Sequence, residues 1–282
     1  MTSPTPILSF GVIADPQYAS VTSDLVLDRH FVKSLTKLQA AFDVFERHSL
    51  DFIVILGDLI DHGFENFDPV LEICRASRHE CLFIPGNHDF QVAENQLGAV
   101  HGKLSMPAPW YDRVVNGVRL IVIDGNEISL FAPPHGDPRR TEASERLKVL
   151  IEAGASNAMI WNGGMSEPQI GWLEERLKAA EEAGERAIVF GHYPLHPFTD
   201  HCLWDAPRIA RLIARSPASV AYLCGHFHGG NYGELDGKHF VNFRGMVDTA
   251  DHNAFAIVSL FNDRLEIEGF GREQSRRLPL SH

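Results

Sequence analysis

Asp51-Phe52-Ile53-Val54-Ile55-Leu56-Gly57-Asp58-Leu59-Ile60-Asp61 runs through an unbroken apolar stretch and then stops on a glycine followed by a carboxylate. A short apolar run without alternation marks a strand buried on both faces. The Gly-Asp pair then places a charged side chain at the strand's C-terminal end. The same plan recurs along the chain. Ile7 to Ala14 ends at Asp15-Pro16-Gln17, and Cys81 to Ile84 leads to Gly86-Asn87-His88-Asp89. Arg186 to Phe190 leads to Gly191-His192, and Val220 to Cys224 leads to Gly225-His226-Phe227-His228. In an α/β protein the carboxyl ends of neighbouring strands form one side of a sheet, and sites are built there. Oxygen and imidazole donors gathered on that side suit two divalent metals sharing a carboxylate.

The segments between these strands read as helices. Leu27, Phe31, Leu35, Leu38, Phe42 and Phe45 recur at helical spacing, which predicts an amphipathic helix over Leu25 to His48. A second helix is expected over Pro69 to Arg78, so strand and helix alternate as in right-handed βαβ units. The middle predicts a strand at Arg119 to Asp124, a helix at Glu142 to Ala153, and a loop rich in Asn and Gly at Ala155 to Met165. Ser166-Glu167-Pro168-Gln169 has the form of a capping box that opens a helix running to about Glu182. A further helix is expected near Pro207 to Arg215. In the tail, His239 to Phe243, Phe255 to Phe261 and Leu265 to Phe270 are closely spaced apolar runs that suggest an antiparallel meander. Two sheets packed face to face with helices outside accommodate all of this. No repeat, low-complexity stretch or linker divides the chain, so residues 1–282 are expected to form one domain.

The formal net charge of −12 argues against nucleic acid or an anionic membrane as principal partner. A small anionic substrate remains compatible, because bound metals reverse the local sign. Cys74, Cys81, Cys202 and Cys224 have neither disulfide-framework nor zinc spacing and read as reduced thiols. Met1 to Pro6 has no basic leader, Ile7 to Ala14 is only a strand's length, and no run nears the roughly 18 apolar residues of a membrane span. A soluble, cytoplasmic protein is expected.

Taken singly, an Asp or His after a glycine is most often a turn former or a cap. In order and together, the five segments resemble the calcineurin-like metallophosphoesterases. That family's pattern of D-x-H, GDxxD, GNH(D/E), GH and GHxH is matched over residues 15 to 228 at every block but one. The resemblance implies an α/β fold of four layers, αββα, with two mixed sheets flanked by helices. It implies one metal on Asp15, Gln17, Asp58 and His228, and a second on Asp58, Asn87, His192 and His226, with Asp58 bridging. His88 would face the substrate and donate to the phosphate or leaving oxygen, with Asp89 orienting it or capping the next helix. Asp61 would hydrogen-bond a metal ligand. Two divalent metals outweigh Asp15, Asp58 and a bridging hydroxide, leaving roughly one net positive charge to receive a phosphate.

The departing block is Gln17, where most of the family has His. An amide oxygen is a harder ligand than imidazole and moves the preference towards manganese or magnesium. Gln at this position resembles the manganese-dependent ADP-ribose/CDP-alcohol diphosphatases. So do Trp161-Asn162-Gly163-Gly164-Met165-Ser166 with Gln169 and Trp172, Cys202-Leu203-Trp204, and His228-Gly229-Gly230-Asn231-Tyr232. The segment between Tyr18 and His30 is shorter than in that group. The resemblance implies two divalent cations, manganese preferred, with iron, magnesium, cobalt or zinc as alternatives. It implies a small nucleotide substrate whose diphosphate is split to a nucleoside monophosphate and a phosphorylated sugar or alcohol. The alternative is a cyclic-nucleotide phosphodiesterase or phosphomonoesterase using the same site. Asn162, Gly163 and Gly164 form either an amide nest for the second phosphate, a loop that covers the nucleoside, or a flexible lead-in to the helix capped by Ser166. Cys202 and Trp204 are candidates for a base pocket. His62, His135, His196 and His201 fall outside the family's ligand positions and read as surface or loop histidines.

Overall fold

A computed structural model describes residues 5–280. The part of the N-terminal reading that rests on Met1 to Pro4 lies outside them. In chain order the first half contains β1 (Leu8–Ile13), α1 (Ser34–Phe45), β2 (Phe52–Ile55), α2 (Phe67–Ala76), β3 (Cys81–Phe83), the short α3 (Val100–Lys103), β4 (Tyr111–Val115) and β5 (Val118–Val122). The second half contains α4 (Pro138–Glu152), α5 (Glu167–Glu182), β6 (Arg186–Phe190), α6 (Ala206–Arg215), β7 (Ser219–Cys224), β8 (Asn231–Leu235), β9 (Lys238–Asn242), β10 (Ala254–Leu260), β11 (Arg264–Gly271) and β12 (Arg276–Pro279).

The strands form two six-stranded mixed sheets, ordered β12-β11-β10-β1-β2-β3 and β4-β5-β6-β7-β9-β8. Within the first, β1, β2 and β3 are parallel, with Phe10 opposite Phe52, and those two rings stack at 4.8 Å. Within the second, β5, β6, β7 and β9 are parallel. Facing side chains of both sheets, among them Phe10, Val12, Phe52 and Val54 with Leu120, Val122, Ile188 and Phe190, share one buried core. The outer face of the first sheet is covered by α1 and α2, through Leu38, Phe42, Phe45, Val70 and Leu71. The outer face of the second is covered by α5 and α6, through Leu173, Leu177, Ile209 and Ile213. The layers are helix, sheet, sheet, helix, as the family pattern implied.

The structure departs from the sequence reading at several elements. The first helix begins at Ser34, and Leu25, Val26 and Leu27 are exposed in a turn instead of packed on a helix face. Asp24 Oδ1 accepts from the amides of Val26 and Leu27 at 2.9 and 3.1 Å, which stabilises that turn against helix. His239 to Phe243 is not part of the tail meander. Its strand, β9, pairs in parallel with β7 in the second sheet, while β10, β11 and β12 build the other sheet. The capping box at Ser166 is half formed. Ser166 Oγ accepts from Gln169 N at 3.3 Å, but the Gln169 side chain turns inward to pair with the backbone of Asp124.

Candidate metal centre and substrate cleft

The loops that follow β1, β2, β3, β6 and β7 meet at one end of the two sheets. Backbone bonds lace them together: Gln17 N donates to Asp58 O at 2.8 Å, and Gly225 N to His192 O at 3.0 Å. The turns are tight enough that Asp15, Gln17, Asp58 and His226 all adopt positive φ, of 49, 44, 51 and 71°. Side chains with a Cβ are seldom held there, and such strain clusters at functional sites. The glycines before Asp58 and Asn87 are required by space. A Cβ on Gly86 would lie 2.1 Å from Asp58 Oδ1, and one on Gly57 would lie 2.3 Å from His192 Nδ1.

One donor set comprises Asp58, Asn87, His192 and His226. Single ligand atoms of Asp58, His192 and His226 lie within 4.8 Å of one another, and all three residues are buried. His192 Nδ1 donates to Leu56 O at 2.8 Å, which frees Nε2 to face Asn87 Oδ1 at 3.2 Å and Asp58 Oδ2 at 3.5 Å. His226 Nε2 donates to Asn162 Oδ1 at 3.1 Å, so its Nδ1 faces His192 Nε2 at 3.2 Å. Two ring lone pairs at that separation repel unless a proton or a cation lies between them. The other set comprises Asp15, Gln17, Asp58 and His228. His228 Nδ1 is held by Asp248 Oδ1 at 2.7 Å, and Nε2 points towards Asp15 at 3.9 Å and the Gln17 amide at 3.3 Å. Gln17 Nε2 donates to Asp58 Oδ2 at 3.0 Å, and its Oε1 is buried with no partner. A half-turn of that amide exchanges the two atoms and offers the set an unclaimed oxygen.

The electrostatics call for a cation. Burial pushes the Asp15 carboxyl up to about 6. Burial also works against a charged His192, yet the neighbouring Asp58, assisted by Asp15, carries its pKa up to about 9. The protein groups alone therefore balance their charge by holding a proton on His192. A divalent ion among these oxygen and imidazole donors fills the same role, so the residues fit the pair of metals the family pattern implies.

His88 does not join either set. Its amide donates to Asp58 Oδ1 at 2.8 Å, and its ring Nδ1 lies 2.9 Å from Asp61 Oδ1. Burial lowers the His88 pKa, but Asp58 and Asp61 together raise it above its ordinary value. Asp61 thus grips His88 and His62, the latter at 2.6 Å, and no residue of the two donor sets. Asp89 does not orient His88. Its buried carboxylate accepts from Ile60 N at 3.1 Å and Gly86 N at 2.9 Å, tying the two loops together.

A cleft of about 420 Å³ opens over these groups, lined by Gln17, Asp58, Asn87, His88, His226 and His228 together with Leu27, Arg29, Gln91, Trp161 and His201. Cys202 and Trp204 are not in it. Trp204 is core, packed with Ile128, Ala143 and Leu147, and Cys202 is fully buried. Gly164 offers no amide to an anion, because its N–H donates to Ile128 O at 2.8 Å, and Gly163 packs on Gly125. Asn162 alone of that loop's three candidates reaches the donor sets, through His226. His201, expected as a surface or loop histidine, lies in a loop and faces the cleft with its ring 5.5 Å from that of His226.

Asp248 was not singled out from the sequence. It sits in the connection from β9 to β10, which crosses from one sheet to the other. Lys37 of α1 is buried and gives its three N–H bonds to the carbonyls of Met246, Asp248 and Thr249 at 2.8, 2.7 and 2.6 Å. Arg272 adds a bond to the Asp248 carbonyl at 3.2 Å. The segment that orients His228 is thereby fastened from both sides.

The comparisons agree with this geometry. A family model described as calcineurin-like phosphoesterase matches residues 8–230. A manganese-dependent ADP-ribose/CDP-alcohol diphosphatase of Arabidopsis thaliana is 28% identical over 311 residues, covering 96% of each chain. The human protein of the same name is 26% identical over 320 residues, covering 96% of this chain and 92% of its own. The crystal structure of a dimetal phosphatase from Danio rerio superposes with a TM-score of 0.87 at 22% identity, covering 98% of this chain and all of that one. Among the described residues no helix is long and apolar enough to cross a membrane. Motif order, donor geometry and the match over residues 8–230 agree that this chain belongs to the calcineurin-like phosphoesterase family of phosphate-bond hydrolases.

Proposed function

We propose that the chain, working as one domain, hydrolyses the diphosphate of nucleoside diphosphate-linked compounds such as ADP-ribose and CDP-alcohols. The products are a nucleoside monophosphate and a phosphorylated sugar or alcohol. The observation that carries this reading is the cleft itself: it extends from the two donor sets to Arg29 and the half-exposed Trp161. That leaves room beyond the reacting phosphorus for a second phosphate and a base. Full-length relatives named for this activity support it.

Two divalent cations held by Asp15, Gln17, Asp58, Asn87, His192, His226 and His228 would activate water and neutralise the phosphate oxygens. His88 hands a proton to the oxygen leaving phosphorus, and Asp61 holds the ring for that transfer. Asp248 and Leu56 fix the His228 and His192 rings so that Nε2 of each faces inward. Water adds across the P–O–P link, and each product keeps one phosphate. The unclaimed Gln17 oxygen makes manganese our proposed cation. Four free cysteines, three of them buried, support a reducing compartment, and we place the protein in the cytoplasm.

The test is a manganese-loaded enzyme offered ADP-ribose, CDP-choline, 2′,3′-cyclic AMP and p-nitrophenyl phosphate. The highest kcat/KM is expected on one of the first two. A cyclic nucleotide or the monoester in first place overturns the reading. Reconstitution with manganese, magnesium, cobalt or zinc should favour manganese, and Gln17→His should move the optimum towards zinc. A wild-type optimum with zinc refutes the role given to Gln17.

A further inference from the structure

The turn from Asp24 to Arg29 returns to the protein at Arg29. Asp24 and Arg29 exchange backbone hydrogen bonds of 2.9 and 2.8 Å. On either side of Arg29, Thr249 N donates to Asp28 O at 2.8 Å and His30 N donates to Val247 O at 3.0 Å. The Arg29 backbone is therefore fixed to the same connection that carries Asp248. Its side chain is not fixed. Arg29 lines the cleft, yet its guanidinium makes no hydrogen bond, ion pair or ring contact with any described residue. Other arginines of the fold are spent on carboxylates, as Arg119 is on Asp112 and Glu185, and Arg146 on Glu142 and Asp205.

Arg29 is the only lysine or arginine among the residues lining the cleft. Its charge is felt at His88, whose pKa it lowers after the larger effects of burial, Asp58 and Asp61. A guanidinium stays ionised at any working pH and presents five N–H donors in a planar fork that matches two phosphate oxygens. The cation pair and His88 serve the phosphorus under attack, so the fork is free for a second anionic group.

We propose that Arg29 binds the phosphate that is not attacked, and so selects diphosphates over single phosphate esters. The inference rests on the diphosphatase reading above for its substrate, but its test does not require turnover. Binding of α,β-methylene-ADP and of AMP to the manganese-loaded enzyme is measured by calorimetry. The two share a nucleoside and differ by one phosphate. The wild type is expected to favour the diphosphate analogue by about 10- to 100-fold, the worth of a charged hydrogen-bonded pair. Arg29→Met should erase most of that gap and leave AMP affinity unchanged. Arg29→Lys should keep part of it, since the charge remains and the fork is lost. Because the guanidinium has no hydrogen bond or ion pair to lose, both variants should melt close to the wild type. Persistence of the gap in Arg29→Met, equal weakening of both ligands, or no gap in the wild type overturns the proposal. Failure of the wild type to hydrolyse ADP-ribose and CDP-choline overturns the substrate reading separately, whatever the binding gap.

Discussion

A histidine that protonates an oxygen must present one ring nitrogen and anchor the other. Asp61 anchors His88 at Nδ1, 2.9 Å away, which leaves Nε2 for the cleft. The carboxylate also helps raise the His88 pKa, keeping the acid form present to higher pH. His88→Ala should lower kcat by about 10²- to 10⁴-fold on a diphosphate, the usual contribution of a positioned acid. Metal content should stay at its wild-type level, and the defect should be much smaller on p-nitrophenyl phosphate, whose leaving group needs no proton. Asp61→Asn removes a charge that favours the imidazolium, so the fall in rate at high pH should begin at a lower pH. A pH–rate profile identical to the wild type's would show that Asp61 has no part in the proton transfer. The donor residues were legible in the sequence because each follows an apolar strand, several directly behind a glycine. Arg29, Asp248 and the true place of Asp61 were not. A lone polar side chain in a loop carries no periodicity, and His228 meets Asp248 only because a connection between sheets passes behind it.

The connection from β9 to β10 is an element without regular structure, yet it is held by bonds to α1, Arg272 and the His228 loop. The Lys37 ammonium satisfies three of its carbonyls, and Gly245 N donates to His228 O at 3.1 Å. Asp248→Ala releases the His228 ring and should weaken manganese binding by about 10- to 100-fold, the usual effect of losing a ligand's hydrogen-bond partner. Asp248→Asn, which keeps an acceptor, should lose less. Lys37→Met leaves the Met246 and Thr249 carbonyls without a donor, while Asp248 O keeps Arg272, and should lower stability by about 2 kcal/mol. Manganese dissociation constants and melting curves separate these roles, and unchanged affinity in Asp248→Ala would assign the aspartate to stability alone. Regular elements were easier to read than this one, with instructive exceptions. Apolar residues at helical spacing continued past the true start of α1, where Asp24 wins the amides for a turn. Spacing alone could not tell that β9 belongs with β7. Three of the four outermost strands, β4, β8 and β12, went unread because half-exposed strands lack the apolar runs of inner ones.

At the scale of the whole molecule, the two donor sets straddle the sheets. Asp15, Gln17, Asp58 and Asn87 follow strands of the first, while His192, His226 and His228 follow strands of the second. Cation binding by these residues, as proposed above, would couple to the docking of one sheet on the other. Manganese at 100 times its dissociation constant should add about 2.7 kcal/mol per site to unfolding, and chelation should remove it. A melting temperature indifferent to manganese and to EDTA would contradict that coupling. The order of strands has a consequence for synthesis. β1 is an inner strand, paired on one side with β2 and on the other with β10, where Leu8 lies opposite Leu260. A growing chain on the ribosome supplies the first neighbour, β2, early and the second, β10, only after β3 to β9 have been made. Until then one flank of β1 presents bare amides and carbonyls beside Phe10 and Val12, an open edge of the kind on which nascent chains aggregate. The residues that finish the sheet are thus the guardians of its beginning.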